Sequence, residues 1–98
     1  IVCDVSFISM KKVLQPCISL LNNESGIIIG LIKPQFEAKK NEVRKGGIIS
    51  NQEIHKRIRK EFRSWFEENL KMEVIGITTS PITGQKGNKE FLIASKFI

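Results

Sequence analysis

No apolar run in the sequence approaches the ~18 residues that a membrane-spanning helix needs, and no secretory leader is recognisable. That argues against a membrane-active protein. Only two cysteines are present, Cys3 and Cys17, each inside an apolar run and at a spacing that matches no metal motif. They read as buried, reduced thiols of a cytoplasmic protein. There is no His/Cys/Asp/Glu cluster at metal-ligand spacing, so no metal is expected, and no Ser-His-Asp or Cys-His arrangement. Internal repeats, low-complexity segments and interdomain linkers are lacking too, which leaves one domain, 1–98. An initiating methionine is also missing. The chain opens directly on Ile1-Val2-Cys3, which suggests a piece cut from a longer protein.

What is present is ordinary for a folded domain: 98 residues, 41% hydrophobic and 27% charged. A chain of this size buries roughly 60–65% of its unfolded surface, so its core is thin. Net charge is +6, with a pI of about 9.6. That balance favours phosphate-bearing partners or an anionic surface, though charge alone is weak evidence.

Ile1 to Ile8 is rich in β-branched and aromatic residues and reads as a buried strand interrupted by Asp4. Met10, Val13, Leu14, Cys17, Ile18 and Leu21 recur at helical spacing. Pro16 inside that run either kinks the helix or marks where it begins. Residues 22–26 form a stop and a turn. Ile27 to Lys33 is a near-continuous aliphatic strand of the kind covered by helices on both faces, and Pro34 ends it. Residues 35 to 49 read as a long polar connection closing on Gly46-Gly47. Ser50 and Glu53 fit a capping box that opens a helix, with Ile54, Ile58, Phe62, Trp65, Phe66 and Leu70 on one face. Met72 to Thr78 and Glu90 to Phe97 are strands, separated by a loop dense in turn formers.

The order strand, helix, strand, helix, strand, strand predicts an α/β fold. It has three parallel strands joined by right-handed helical crossovers, and an antiparallel last strand. In open α/β sheets, ligands bind beyond the carboxyl ends of the parallel strands. Asp4, Lys33 and Glu90 should all lie towards that edge.

The segments Asp4-Val5-Ser6-Phe7-Ile8-Ser9, Lys33-Pro34-Gln35-Phe36-Glu37, Lys45-Gly46-Gly47 and Ser80 through Phe91 (Ser-Pro-Ile-Thr-Gly-Gln-Lys-Gly-Asn-Lys-Glu-Phe) occur in that order. Together they resemble the TlyA, or haemolysin A, family of FtsJ-like ribosomal RNA 2′-O-methyltransferases across essentially the whole chain. The resemblance implies the carboxy-terminal half of a Rossmann-like sheet that uses S-adenosylmethionine. It also implies a Lys–Asp–Lys–Glu tetrad in which Asp4 stands at the aspartate, Lys33 at the second lysine and Glu90 at the glutamate. Asp4, Val5 and Ser6 would contribute to cofactor binding. The first lysine, the glycine-rich cofactor turn and an S4-type RNA-binding domain would lie upstream of Ile1, so the isolated chain is expected to be inactive. Ribosomal RNA is the implied partner.

Methyl transfer to a ribose oxygen needs a group that takes up or offsets the charge developing there. A lysine acts as base only if its pKa falls well below the ordinary ~10.4; otherwise it stabilises the oxyanion, positioned by carboxylates. Lys39, Lys40, Arg44, Lys45, Lys86 and Lys89 flank this edge and are the expected RNA contacts. The cations of the long helix, Lys56, Arg57, Arg59, Lys60 and Arg63, read as a plain solvated face. Trp65 and Phe66 read as core, and His55 as structural. The competing readings are a non-enzymatic basic RNA-binding module and, on weaker grounds, a membrane-active haemolysin. Self-association through an exposed first-strand edge is expected.

Overall fold

A computed structural model describes residues 1–5, 8–20, 26–43 and 46–97. Strands β1 (Val2–Cys3), β2 (Ile27–Ile32), β3 (Met72–Thr79) and β4 (Phe91–Phe97) form one sheet in the order β1-β2-β4-β3. β1 runs parallel to β2, and β4 runs antiparallel to both β2 and β3. The first three strands therefore point the same way, as the connections predicted. The last strand inserts between β2 and β3 instead of adding to an edge. Its apolar run, with Phe91 and Ile93 buried, suits a central position.

Among the described residues of the predicted strand Ile1 to Ile8, β1 takes up Val2 and Cys3, with Cys3 buried and Val2 exposed; residues 6 and 7 lie outside the described residues. The ladder partners are Ile29 and Gly30, and Val2 is 83% exposed. β propensity without a second neighbouring strand does not extend the ladder.

Helix α1 (Met10–Cys17) starts at Ser9, whose hydroxyl accepts from the Lys11 N–H. Pro16 does not open the helix but sits in its last turn, and the chain tightens into a 3-10 turn over Ile18–Leu20. Leu21 and, of the predicted turn at 22–26, residues 22–25 lie outside the described residues. Within the connection expected to be polar and irregular, Pro34 opens a single helical turn, α2 (Pro34–Glu37). Helix α3 (Gln52–Glu68) is capped by Asn51 and not by Ser50: the Asn51 Oδ1 accepts from the Glu53 N–H at 2.8 Å. Ser50 lies one residue too early for its hydroxyl to meet the first turn.

The core lies on one face of the sheet. Met10 and Leu14 of α1 and Ile58, Phe62 and Phe66 of α3 pack with Ile28, Ile32, Met72, Val74 and Ile93. Gly30 is where α1 comes closest, since a Cβ there would lie 2.5 Å from the Met10 sulfur. Trp65 is half-buried, edge-on to Phe66 with ring centroids 5.6 Å apart. On the other face of the sheet, Ile27, Ile29 and Ile75 are 49%, 44% and 59% exposed. The expectation that helices cover β2 on both faces is thus corrected: every described helix in the core packs on one. Cys3 is buried as expected, whereas Cys17 is only half-buried; neither forms a disulfide.

Candidate active site

The parallel strands and the start of β4 converge on a cleft of about 600 Å³. Its polar wall is Asp4, Lys33, Gln35 and Glu90; its apolar wall includes Phe36, Pro81, Ile82 and Leu92. Lys33 follows the last residue of β2 and is the N-cap of α2. Its ammonium pairs with Asp4 Oδ1 at 2.5 Å. The lysine side chain is 13% exposed and the aspartate 62%, so the cation is sheltered and its partner faces water. Asp4 follows β1 directly, which accounts for a carboxylate inside an apolar run.

Glu90, which sequence reasoning alone could leave facing solvent, is buried at 6% exposure. Gln35 Nε2 donates to its Oε2 at 3.0 Å. Gly84 closes the other side so tightly that a Cβ there would lie 2.0 Å from the same oxygen. The Glu90 carbonyl accepts from the Ser80 N–H at 2.8 Å, tying off the loop between β3 and β4. Inside that loop the Gly84 N–H donates to the Asn88 carbonyl at 2.7 Å, and Lys86 and Gly87 take positive φ of 57° and 78°.

The segment after α2 is stitched to this loop by Asn88, itself buried. Its Nδ2 donates to the Gly47 carbonyl at 2.8 Å, and its Oδ1 accepts from the Ile49 N–H at 2.9 Å. The Ile49 carbonyl lies 3.0 Å from His55 Nε2. A carbonyl only accepts, so that nitrogen carries the proton. Gly46 and Gly47, at φ of 94° and 78°, allow the backbone to turn here. Sequence reasoning missed Gln35, Gly84, Asn88 and also Glu37. The Glu37 carboxylate accepts from Ser9 Oγ at 2.6 Å and from the Met10 N–H at 2.9 Å. It thereby docks α2 on the N-terminus of α1, where a negative charge is favoured. Burial pushes the Glu37 pKa up, against the lowering effect of those two hydrogen bonds.

Burial likewise pushes the His55 pKa below its ordinary 6.5, partly opposed by the Ile49 bond. Lys89 and Arg59 lower it further. Below that value the unfolded chain binds a proton that the folded chain refuses. The stability that neutral His55 contributes is therefore complete above about pH 6.5 and falls as the pH drops towards the folded pKa. The urea midpoint is expected to be lower at about pH 5.5 than at about pH 7.5, with a smaller difference in His55→Gln.

Among the expected RNA contacts, Lys39, Lys40, Lys86 and Lys89 are exposed. The Lys86 ammonium donates to the Gly46 carbonyl at 2.6 Å, so this side chain also helps to hold the loop. Arg44 and Lys45 lie outside the described residues, as does Ser6 among the expected cofactor contacts. Val5 is half-buried and packs against the core. Among the described residues, no group of three or more His, Cys, Asp or Glu side chains could hold a metal ion, and no helix is long and apolar enough to cross a membrane.

The chain is 41% identical over 92 residues to Hemolysin A of Brachyspira hyodysenteriae, covering 94% of this chain and 38% of that protein. It is 31% identical over 93 residues to the 16S/23S rRNA (cytidine-2'-O)-methyltransferase TlyA of Mycobacterium tuberculosis, covering 95% of this chain and 34% of that protein. The chain thus spans about a third of the length of the curated relatives it matches. A crystal structure of a "putative hemolysin" from Lactococcus lactis superposes with a TM-score of 0.88 at 38% identity, over 96% of this chain and 44% of that one. The family model for FtsJ-like methyltransferases matches residues 1–97. This α/β chain, with its parallel strands and inserted antiparallel strand, belongs to the FtsJ-like methyltransferase family.

Proposed function

We propose that the chain is the carboxy-terminal part of the methyltransferase domain of an enzyme that methylates ribose 2′-hydroxyls of ribosomal RNA. One observation carries this reading: a sheltered Lys33, paired with Asp4, shares a cleft with buried Glu90 at the carboxyl edge of the sheet. A ribose hydroxyl is a poor nucleophile and must lose or share its proton as it attacks. Lys33 donates hydrogen bonds to the oxygen as negative charge develops on it, in a cleft where such a bond is strong, and the hydroxyl's proton passes to solvent at the open side of the cleft. Asp4 and Glu90 position Lys33.

S-adenosylmethionine supplies the methyl group in such enzymes, on a cationic sulfonium. The described residues fit its reactive end: Asp4 offers a carboxylate to a cation, beside the apolar wall of Pro81, Ile82 and Leu92. Asp4 and Val5, with Ser6, are the residues of this chain that would hold it. The remaining cofactor contacts belong to other parts of the whole protein, so the chain by itself is inactive. The cations at 39–45 and 86–89 receive RNA phosphates. A ribosomal RNA substrate in turn places the protein in the cytoplasm.

The test is transfer of a radiolabelled methyl group from S-adenosylmethionine to ribosomal RNA by the complete protein. Incorporation into RNA supports the reading. Salt-dependent RNA binding without incorporation supports a non-enzymatic RNA-binding module instead, and dye leakage from vesicles a membrane-active protein.

Alone, the chain is proposed to self-associate through β1, which among the described residues pairs with a strand on one side only and carries exposed Val2. Sedimentation at high concentration should show a dimer or a larger species. A clean monomer contradicts it.

A further inference from the structure

We propose that Gln35 is a positioning residue of the reaction centre, acting through the Glu90 carboxylate; this rests on the proposed reading of the cleft. Gln35 is the second residue of α2, directly after Pro34, whose ring fixes the backbone there. The same short segment thus presents Lys33 and Gln35 to one cleft. Gln35 Nε2 donates to Glu90 Oε2 at 3.0 Å. A carboxylate oxygen only accepts, so this bond fixes which end of the amide faces Glu90. The other end, Oε1, is buried and has no hydrogen-bond partner among the described residues.

A buried acceptor without a partner is destabilising. A glutamine held for stability alone would satisfy both ends of its amide. This one satisfies only the end that fixes Glu90, and Gly84 blocks the carboxylate from the other side. Gln35 and Gly84 thus both meet Glu90 at Oε2, in the wall that also holds Lys33 and Asp4.

Two substitutions in the complete protein test this. Gln35→Leu removes the donor and the orphaned acceptor together. It is expected to lower kcat about 10–100-fold, the range typical of residues that orient a site from behind. KM for RNA should stay within about threefold, and Tm should be unchanged or higher. Gln35→Glu sets a second carboxyl beside Glu90. Two carboxyls this close share one proton, and the shared proton restores the hydrogen bond. Activity in Gln35→Glu should therefore be best at the acid end of the range and fall as pH rises, where the unsubstituted enzyme does not fall.

A merely structural glutamine would lower Tm in both variants and leave the shape of the pH profile alone; that result overturns the inference. So does full kcat in Gln35→Leu. The two failures separate through Glu90→Gln. If Glu90→Gln loses activity while Gln35→Leu keeps it, only the role of Gln35 is wrong. If Glu90→Gln is fully active, the reading of the cleft is wrong, and the inference falls with it.

Discussion

Lys33→Ala in the complete protein is expected to lower methyl transfer about 10²–10³-fold, the usual loss when one preorganised donor to a developing oxyanion is removed. Stability should barely move. The partner Asp4 is largely exposed, so its carboxylate is resolvated when the lysine goes. Half-exposed pairs of this kind contribute about 0–1 kcal/mol. Activity lost without a matching loss in Tm is therefore the signature. Lys33→Arg should not rescue it. The guanidinium is larger and planar, and it cannot occupy the place of a compact ammonium set 2.5 Å from Asp4 in a sheltered wall. Asp4→Asn should fall between the unsubstituted enzyme and Lys33→Ala, because it loosens Lys33 without removing it.

Gly84→Ala is the second large effect, and its cause is steric. Besides the contact with Oε2, the added Cβ would lie 2.6 Å from Glu90 Cδ and 3.2 Å from its Cγ. Rotating the end of the glutamate does not relieve contacts with three successive atoms. Either the side chain leaves its place and breaks the Gln35 bond, or the loop moves and strains the Gly84–Asn88 bond. Activity should fall about 10–100-fold, with a stability cost of about 1–3 kcal/mol from overpacking. The double variant with Glu90→Ala separates the two effects. With the glutamate gone there is nothing to collide with, so most of the stability cost should vanish while activity stays low. Urea denaturation of the four proteins in this cycle measures it.

The direction of every strand was legible in the sequence, because a helical crossover forces parallel strands and a short loop permits antiparallel ones. That β4 lies between β2 and β3 was not legible. Local pattern marks a strand as buried but does not name its neighbours. β1 was overestimated because Ile1 to Ile8 has the right composition, whereas among its described residues the ladder takes in Val2 and Cys3. α2 was missed because four residues carry no periodicity; Pro34 was read as the end of a strand when it was also the first residue of a helix.

The same division holds at the site. That Lys33, Asp4 and Glu90 meet at one cleft was legible because their motifs resemble a known family and their strands end at one edge. The residues that hold them were not found. Gln35, Glu37 and Asn88 act across 55, 28 and 39 residues of sequence, on Glu90, Ser9 and Ile49. Such contacts have no local signature. Gly84 looked like one more turn former in a loop full of them, whereas what its missing Cβ allows is the approach of a carboxylate.

The central claim is that this cleft directs a methyl group to a ribose oxygen. Alkaline hydrolysis of ribosomal RNA methylated by the complete protein tests it most directly, since strand cleavage by alkali requires a free 2′-hydroxyl. The labelled methyl group is expected in an alkali-resistant dinucleotide, with Lys33→Ala forming it about 10²–10³-fold more slowly. Label recovered on the base of an alkali-sensitive mononucleotide, or an undiminished yield from Lys33→Ala, would contradict it.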